Sequence, residues 1–329
     1  MSKRSLGTAA VVLVVLLAAA ATASAESRIE KALKLSPGGK LVVQSDAGSV
    51  SVIGTDEEGA RVVVTSRSDD LESKFDFKFE ELPGEVHVTA RKKDGSSSWL
   101  AFLFTSSPSP RFEVQVPTRT RVEIATGGGG IKAADLEGDA QLSTSGGSIS
   151  VAKHVGKVAA ETSGGGIELQ DVRGSASVET SGGSIRAEGI EGSLTGETSG
   201  GSIRVVRVRG DLEVSTSGGS IAIEEAGGKV VAVTSGGSIS AAFARGNQRG
   251  GSLETSGGGI EVRLDPGVNL NLEARASGGS VVSDLPVKVV GEARRSSLTG
   301  TLGSGGATLT LQTSGGSVRI GGVQEPGRS

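Results

Sequence analysis

The chain of 329 residues contains no cysteine and no tyrosine, and it has only one tryptophan, one methionine and seven phenylalanines. Without cysteine it can form neither a disulfide nor a lipidated N-terminal cysteine, so its stability must come from backbone pairing and packing. The shortage of large side chains argues against a thick globular core. Because 53 residues are glycine, we expect a thin, narrow and repetitive interior instead.

A strong charge of either sign is also absent. The formal net charge is −3, and loss of an N-terminal leader carrying Lys3 and Arg4 would leave 32 of the 34 basic residues against 37 acidic ones, a net charge of −5. This modest acidic balance favours solubility and argues against a nucleic-acid partner.

Only one long apolar run occurs, from Leu6 to Ala21, and it is shorter than the ~20 residues that span a bilayer. It follows Lys3 and Arg4 and precedes Ala23-Ser24-Ala25, the small-x-small pattern that signal peptidase needs. We therefore predict a signal peptide over residues 1–25, with an uncleaved anchor as the alternative. The mature chain is then expected to be extracytoplasmic (periplasm, cell surface or secreted), with no integral membrane span.

An internal repeat dominates the rest of the sequence. The segment Thr-Ser-Gly-Gly-Ser/Gly-Ile recurs with six successive intervals of 18 residues between its isoleucines. These are Ile131, Ile149, Ile167, Ile185, Ile203, Ile221 and Ile239. Looser copies follow at Ile260 and Val281, each 21 residues on, and a last copy at Val318 comes 37 residues later. That last interval leaves room for two coils, with a degenerate one between the two copies.

Apolar and polar residues alternate on both sides of each glycine-rich corner, which is the period of a β-strand. Helices would need a period of 3.6 residues and few glycines. We therefore predict an all-β fold, a single-stranded parallel β-solenoid (β-helix) with 18-residue coils of two short strands, capped by an irregular N-terminal β region. Stacking is essential because a lone coil buries too little surface to offset its conformational entropy.

The repeat residues have structural roles in this prediction. Each threonine faces inward, where the hydroxyls can form a hydrogen-bonded ladder, and each isoleucine lies in the core. The paired glycines permit positive φ and a tight turn. Three coils represent the pattern: Thr144, Gly146, Gly147 and Ile149; Thr180, Gly182, Gly183 and Ile185; and Thr216, Gly218, Gly219 and Ile221.

The expected organisation is a signal peptide (1–25), an irregular β-rich N-terminal cap (26–125), solenoid repeats (126–320) and a disordered tail (321–329). Within the cap, Ala47-Gly48-Ser49-Val50 looks like a degenerate repeat corner. The cap also holds the apolar segment Trp99–Phe104. This segment either packs within the cap or, through Trp99, Phe102 and Phe104, contacts a partner or a membrane surface.

The sequence resembles the bacterial β-strand-repeat family of putative adhesins, and more distantly the head-GIN auto-transporter adhesins. The resemblance is carried by residues 39–54, by Phe112-Glu113-Val114-Gln115-Val116-Pro117 and by the Thr-Ser-Gly-Gly-Ser-Ile repeat with its trailing glycine. It covers most of the mature chain and implies an extracytoplasmic β-solenoid. It implies no catalytic residue, because the family pattern specifies none.

Residues suited to catalysis or metal binding are few. The glycine turns carry no carboxylate, which argues against the calcium-binding β-roll, and one inward threonine per coil argues against an ice-binding face. His87 and His154 are the only histidines, and their spacing suggests no partner for either. We therefore assign no catalytic, cofactor-binding or metal residue, and we predict neither enzyme activity nor a cofactor.

Two charged groups leave alternatives open. Asp135 and Asp171 share a column with Lys153, Gly189 and Arg207 in other coils, which indicates a solvated face rather than paired catalytic carboxylates. The second group, Arg204, Arg207 and Arg209, is either an anionic-glycan contact or a charged guard on one coil.

The sequence thus predicts an exported non-enzymatic repeat protein, an adhesin or envelope interaction module that binds a protein or glycan of the cell envelope. The alternatives are a polysaccharide-active β-helix enzyme and a structural or regulatory module that binds another envelope protein.

Overall fold

The computed structural model describes residues 27–67, 71–93, 109–290 and 294–323. These residues form 29 β-strands and one helix of four residues, α1 (Leu71–Lys74). Among them we find no helix that is long and apolar enough to cross a membrane. The predicted signal peptide and the Trp99–Phe104 segment lie outside the described residues.

The strands before the regular repeats are β1 (Ser27–Leu33), β2 (Lys40–Ser45), β3 (Ser49–Thr55), β4 (Ala60–Ser66), β5 (Phe75–Leu82), β6 (Glu85–Lys92) and β7 (Arg111–Pro117). The regular coils comprise β8 (Arg121–Thr126), β9 (Ile131–Glu137), β10 (Ala140–Thr144), β11 (Ile149–Val155), β12 (Val158–Thr162), β13 (Ile167–Arg173), β14 (Ala176–Thr180), β15 (Ile185–Ile190), β16 (Leu194–Thr198), β17 (Ile203–Val208), β18 (Leu212–Thr216), β19 (Ile221–Ala226), β20 (Val230–Thr234), β21 (Ile239–Phe243), β22 (Gly251–Thr255) and β23 (Ile260–Leu264). The last strands are β24 (Leu270–Ala276), β25 (Val281–Ser283), β26 (Lys288–Val289), β27 (Ser297–Leu302), β28 (Ala307–Thr313) and β29 (Val318–Gly322).

The strands form two long sheets. Sheet 1 has 14 strands in the order β1-β4-β7-β3-β9-β11-β13-β15-β17-β19-β21-β23-β29-β25, and sheet 2 has 15 in the order β26-β27-β24-β28-β22-β20-β18-β16-β14-β12-β10-β8-β2-β6-β5. From β8 to β23, each coil gives one strand to each sheet, and neighbouring strands are parallel. The structure therefore confirms the predicted β-solenoid.

Equivalent residues of successive coils stack in register. Ile149 pairs with Ile131 on one side and with Ile167 on the other, and the same pairing continues to Ile239. All of these isoleucines are buried. They form a narrow aliphatic core between the sheets, as the small side chains of the sequence require.

Six sheet 1 strands of the regular coils also bend, which the prediction of two glycine-marked corners did not include. They are β9, β11, β13, β15, β17 and β19. In β9 the buried residues are Ile131, Ala133 and Leu136, so their spacing changes from two residues to three. The residue before Leu136, Asp135, has a left-handed backbone with φ of 56°. We call this bend the kink.

The N-terminal region continues the same two sheets. Strands β2 and β3 pair in parallel with β8 and β9, so the sheets run without a break across residue 125. Val50 lies opposite Ile131, and the Thr126 hydroxyl donates to the carbonyl of Gly48 at 2.7 Å. The degenerate corner predicted at Ala47–Val50 is therefore a true coil corner.

Both ends of the solenoid combine antiparallel strands with a coil inserted out of sequence order. At the N-terminal end β6 and β7 stack outside β2 and β3, and β4 and β5 cover them with antiparallel pairing. At the C-terminal end β28 and β29 lie between the coils of Ile260 and Val281.

The coil of Val318 is thus last in sequence but not last in space, which corrects the expected order. Between Val281 and β28, the residues that the structure describes form no degenerate coil. Their strands β26 and β27 instead pair antiparallel at the end of sheet 2. Strand β29 continues to Gly322, into the segment expected to be a tail.

Candidate functional site

The corner between each sheet 2 strand and the next sheet 1 strand is built around close backbone approach. A Cβ atom added to Gly183 would lie nearer than 3.0 Å to the carbonyl oxygen of Gly165 in the preceding coil, whereas one added to Gly182 would lie 3.5 Å from the nearest atom. The second glycine is therefore required by the stacking distance between coils, as the predicted tight turn without a Cβ implies. The positive φ that was also predicted is not found at either glycine.

The threonine of each corner bridges two coils through its hydroxyl. The Thr180 hydroxyl donates to the Gly165 carbonyl at 2.8 Å and accepts from the Gly183 N–H at 3.2 Å. The same pair of bonds recurs at Thr144, Thr162, Thr198, Thr216 and Thr234. The threonines face inward as predicted, but their ladder runs through backbone groups rather than from hydroxyl to hydroxyl.

Charged residues occupy the left-handed position of the kink in five of six coils. They are Asp135, Lys153, Asp171, Arg207 and Glu225, with φ between 50° and 57°. Gly189 holds the same position in the remaining coil with φ of 71°. Such a conformation costs a non-glycine residue on the order of 1–2 kcal/mol, although this chain uses glycine freely elsewhere.

A groove runs along the kink side of six successive coils and has a volume of about 1360 Å³. We call it the kink groove. Its positively charged lining residues are Lys153, Arg173, Arg207, Arg209 and Arg245. Its negatively charged lining residues are Asp171, Glu191 and Glu225. Gly189, Gly227 and Ala244 also line it and leave space for a ligand because they have little or no side chain.

The structure separates the three arginines that the sequence grouped together. Arg204 lies on the outer face of sheet 1, where its Nη2 is 2.7 Å from Glu224 Oε1. Arg207 and Arg209 line the kink groove. Arg207 Nη2 is 2.6 Å from Glu188 Oε1, and this hydrogen bond raises the pKa of the guanidinium.

Arg209 has a looser ion pair than Arg204 or Arg207. Its Nη1 is 3.5 Å from Glu191 Oε1, and Arg173 Nε lies 4.0 Å from the same oxygen. Two guanidinium groups thus share one carboxylate at the centre of the kink groove.

The histidines lie on different strands and do not meet. His87 Nε2 is 2.9 Å from Glu85 Oε2 in β6, and this bond lowers the pKa of Glu85. His154 belongs to a core column between Leu136 and Val172, is 1% exposed, and neither ring nitrogen has a hydrogen-bond partner among the residues described.

The environment of His154 disfavours its protonation. Burial lowers the pKa of the imidazole, against opposing effects of the Gly138 and Lys157 backbone and of Asp139. This side chain occupies an apolar position, so it acts here as a core residue whose charged form is destabilised.

Other candidate sites contribute little to this geometry. Over the four described ranges, no group of three or more histidine, cysteine, aspartate or glutamate side chains is arranged to hold a metal ion. The predicted contacts Trp99, Phe102 and Phe104 lie outside those ranges and stay predictions.

The kink groove was missed in the sequence because the two-residue alternation was extended through each sheet 1 strand. A signal was present, since the third core column lies five residues, and not four, after the repeat isoleucines from Ile131 to Ile221. Leu136, Val172, Ile190 and Val208 are its clearest members. The change of spacing marks the kink, and the residue before each member is the left-handed one.

Three solved structures are similar to this chain over nearly its whole length. A putative cell adhesion protein from Clostridium sporogenes is 10% identical, with 91% of this chain and 100% of that one covered and a TM-score of 0.24. A putative adhesin from Bacteroides fragilis is 11% identical over 90% and 98%, with a TM-score of 0.29. A putative lipid binding protein from Parabacteroides distasonis is 12% identical over 91% and 97%, with a TM-score of 0.33.

No curated protein matches the chain. The family model described as Toastrack DUF4097 matches residues 38–321, from just before β2 to the last strand, β29. This agrees with the resemblance to a β-strand-repeat family that the sequence indicated. Because the match includes both inserted end coils as well as the regular repeats, the chain belongs to the Toastrack DUF4097 family.

Proposed function

We propose that this chain is an exported, non-enzymatic protein of the cell envelope or surface whose long faces serve adhesion or another binding interaction. The observation that carries the proposal is the continuous stacking of two sheets of 14 and 15 strands. Outward side chains then form straight columns with one member per coil, spaced by ~4.8 Å. Such a surface offers an extended ligand many equivalent contacts.

The arrangement of charges supports binding rather than catalysis. Along the kink the charges alternate in sign, and Lys153 Nζ lies 3.8 Å from Asp135 Oδ1 of the neighbouring coil. Arg204 and Arg207 pair with glutamates of adjacent coils in the same way. Each pair joins opposite charges between coils, whereas acid–base hydrolysis requires two carboxyl groups facing one substrate bond.

A retention assay tests the binding function. The mature protein, immobilised through a C-terminal tag, is exposed to isolated envelopes and to a panel of neutral and acidic glycans, with the tag alone as control. We expect retention of at least one envelope or glycan fraction. Retention of none would overturn the proposal, and shortening of a glycan during the assay would favour the enzymatic alternative.

Export is tested separately with the full-length chain in its own host. We expect the extracytoplasmic fraction to contain the protein with Glu26 as its first residue, because cleavage is predicted after Ala25. An Ala25→Leu variant should keep its leader, since signal peptidase needs a small residue there. Recovery of the wild-type protein in the cytoplasm with residues 1–25 intact would contradict export.

A second binding mode concerns the segment between β6 and β7. This segment contains Trp99, Phe102 and Phe104. We propose it as a contact for another envelope protein. Loss of a co-purifying protein from the Trp99→Ala variant would support this contact, and unchanged co-purification would contradict it.

A further inference from the structure

One column of the kink groove carries a surplus of positive charge on a chain whose formal net charge is −3. Three arginines, Arg173, Arg209 and Arg245, lie in or beside this column against one carboxylate, Glu191. The other two basic side chains of the groove are paired, Lys153 with Asp135 and Arg207 with Glu188. A concave surface with an excess of one sign attracts ligands of the opposite sign. The groove is therefore complementary to an anion.

The arginines of the groove differ in how closely they are already paired with carboxylates. Arg207 makes a direct ion pair of 2.6 Å, whereas Arg173 and Arg209 approach Glu191 only to 4.0 Å and 3.5 Å. Both contacts are longer than the ~2.7–2.9 Å of a charge-assisted hydrogen bond. The side chains of Arg173 and Arg209 are 71% and 77% exposed, so their guanidinium groups are available to a second carboxylate.

The spacing of these arginines defines a linear ligand. Arg173 and Arg209 lie in the same column two coils apart, which corresponds to about 10 Å at ~4.8 Å per coil. Arg245 also lines the groove and lies a further two coils along. Its coil has no left-handed residue, so Phe243 takes the core position opposite Ala226. Arg245 is therefore one residue beyond the column of Arg173 and Arg209. A cationic group thus recurs about once per two sugar units of an extended polysaccharide, so it would meet every second carboxylate of a polymer that carries one on each sugar.

The remaining lining residues fit a polysaccharide better than a small anion. Gly189, Gly227 and Ala244 let a chain lie close to the backbone, and the carboxylates of Asp171 and Glu225 can accept hydrogen bonds from sugar hydroxyls. The backbone conformation adds a second argument. Asp171 and Glu225 adopt a strained left-handed conformation, whereas glycine, as at Gly189, takes the same position without strain. Strained residues of this kind cluster at functional sites.

We propose that the kink groove binds a linear anionic glycan of the polyuronate class along the solenoid axis, with Arg173, Arg209 and Arg245 contacting its carboxylates. This inference rests on the proposed binding function and names its ligand class. The glycan lies across six coils, so its affinity depends on its length and on ionic strength.

The test compares two double variants of the full mature chain that remove the same charge. The groove variant, Arg173→Ser with Arg209→Ser, removes two arginines from the groove column. The sheet 1 variant, Arg186→Ser with Arg204→Ser, removes two arginines from the outer face of sheet 1. Binding of polygalacturonate is measured by calorimetry at low salt, with dextran as a neutral control. Melting curves establish that both variants are folded.

We expect the groove variant to bind polygalacturonate at least tenfold more weakly, the sheet 1 variant to stay within about twofold of wild type, and dextran not to bind. Equal losses in both variants would overturn the groove as the site. Binding of monomeric galacturonate as tightly as the polymer would overturn the linear ligand.

Absence of polygalacturonate binding by wild type would overturn this inference alone. The binding function would then stand or fall on the separate retention assay with envelopes. Shortening of polygalacturonate by wild type and by the sheet 1 variant, but not by the groove variant, would have the opposite meaning, because the groove would remain the site while the non-enzymatic function failed.

Discussion

Two bends of a single coil, the Thr-Ser-Gly-Gly corner and the kink, solve the same geometric problem in different ways. At the glycine corner, the backbone of one coil lies so close to the next that Gly183 cannot carry a Cβ atom without displacing Gly165. At the kink, side chains as large as those of Lys153 and Arg207 remain, although their backbone is left-handed. The glycine corner therefore fixes how coils stack, and the kink leaves room for surface chemistry.

The comparison is tested most strongly by the two adjacent glycines of one corner. We expect Gly183→Ala to lower the free energy of unfolding by about 3 kcal/mol or more, because its Cβ would overlap backbone that cannot move without shifting a coil. Gly182→Ala, with its nearest neighbour at 3.5 Å, should change it by less than about 1 kcal/mol. Urea denaturation measures both, and equal effects would contradict the stacking argument.

Removing the hydroxyl that bridges two corners should have the next largest effect. Thr180→Val leaves the Gly165 carbonyl and the Gly183 N–H without this buried partner, so we expect a loss of ~1–3 kcal/mol. Thr180→Ser keeps the hydroxyl and should lose less than Thr180→Val. If the serine variant is the less stable one, packing of the methyl group and not the bridge holds the corner.

Because His154 is buried in the core column behind the kink, we expect the stability of the chain to depend on pH. Because burial lowers its pKa in the folded state, the unfolded chain binds a proton first as the pH falls below about 6.5. The free energy of unfolding then decreases as the pH falls, until the pH reaches the lowered pKa of His154 in the folded state. We expect His154→Leu, which matches Leu136, to remove this contribution, so the variant gains on wild type between pH 7 and pH 5.

Denaturation at pH 7, 6 and 5 measures that difference, and Leu136→Val serves as a control for packing in the same column. A constant gap between wild type and His154→Leu over this range would show that the imidazole does not resist protonation in the folded chain.

The smallest expected effect concerns the strain at the kink. Glu225→Gly should stabilise the chain by about 0.5 kcal/mol, because relief of the left-handed conformation slightly exceeds the added entropy of the unfolded state. Gly189→Ala should destabilise it by ~1 kcal/mol, since φ there is 71°. Thermal melting of both variants checks the opposite signs, and stabilisation by Gly189→Ala would refute the account of the kink.

The regular coils were predictable because every coil repeats the same short sequence pattern. The 18-residue interval, the alternating apolar positions and the inward Thr column gave the correct sheets and register. The kink was less accessible because one left-handed residue shifts the alternation without leaving a glycine, except at Gly189. The ends of the solenoid could not be predicted, because no local sequence pattern indicates that β28 and β29 insert between two earlier coils.

The sequence by itself determined the coil, its inward and outward faces and the need to stack, since these follow from periodicity and from the small size of its apolar residues. Only the tertiary structure decided that Arg209 meets Arg173 across Glu191 in a groove while Arg204 lies on another face. The physical reason is that periodicity specifies which residues share a column. The direction of a column depends on a bend whose position is set when the coils pack.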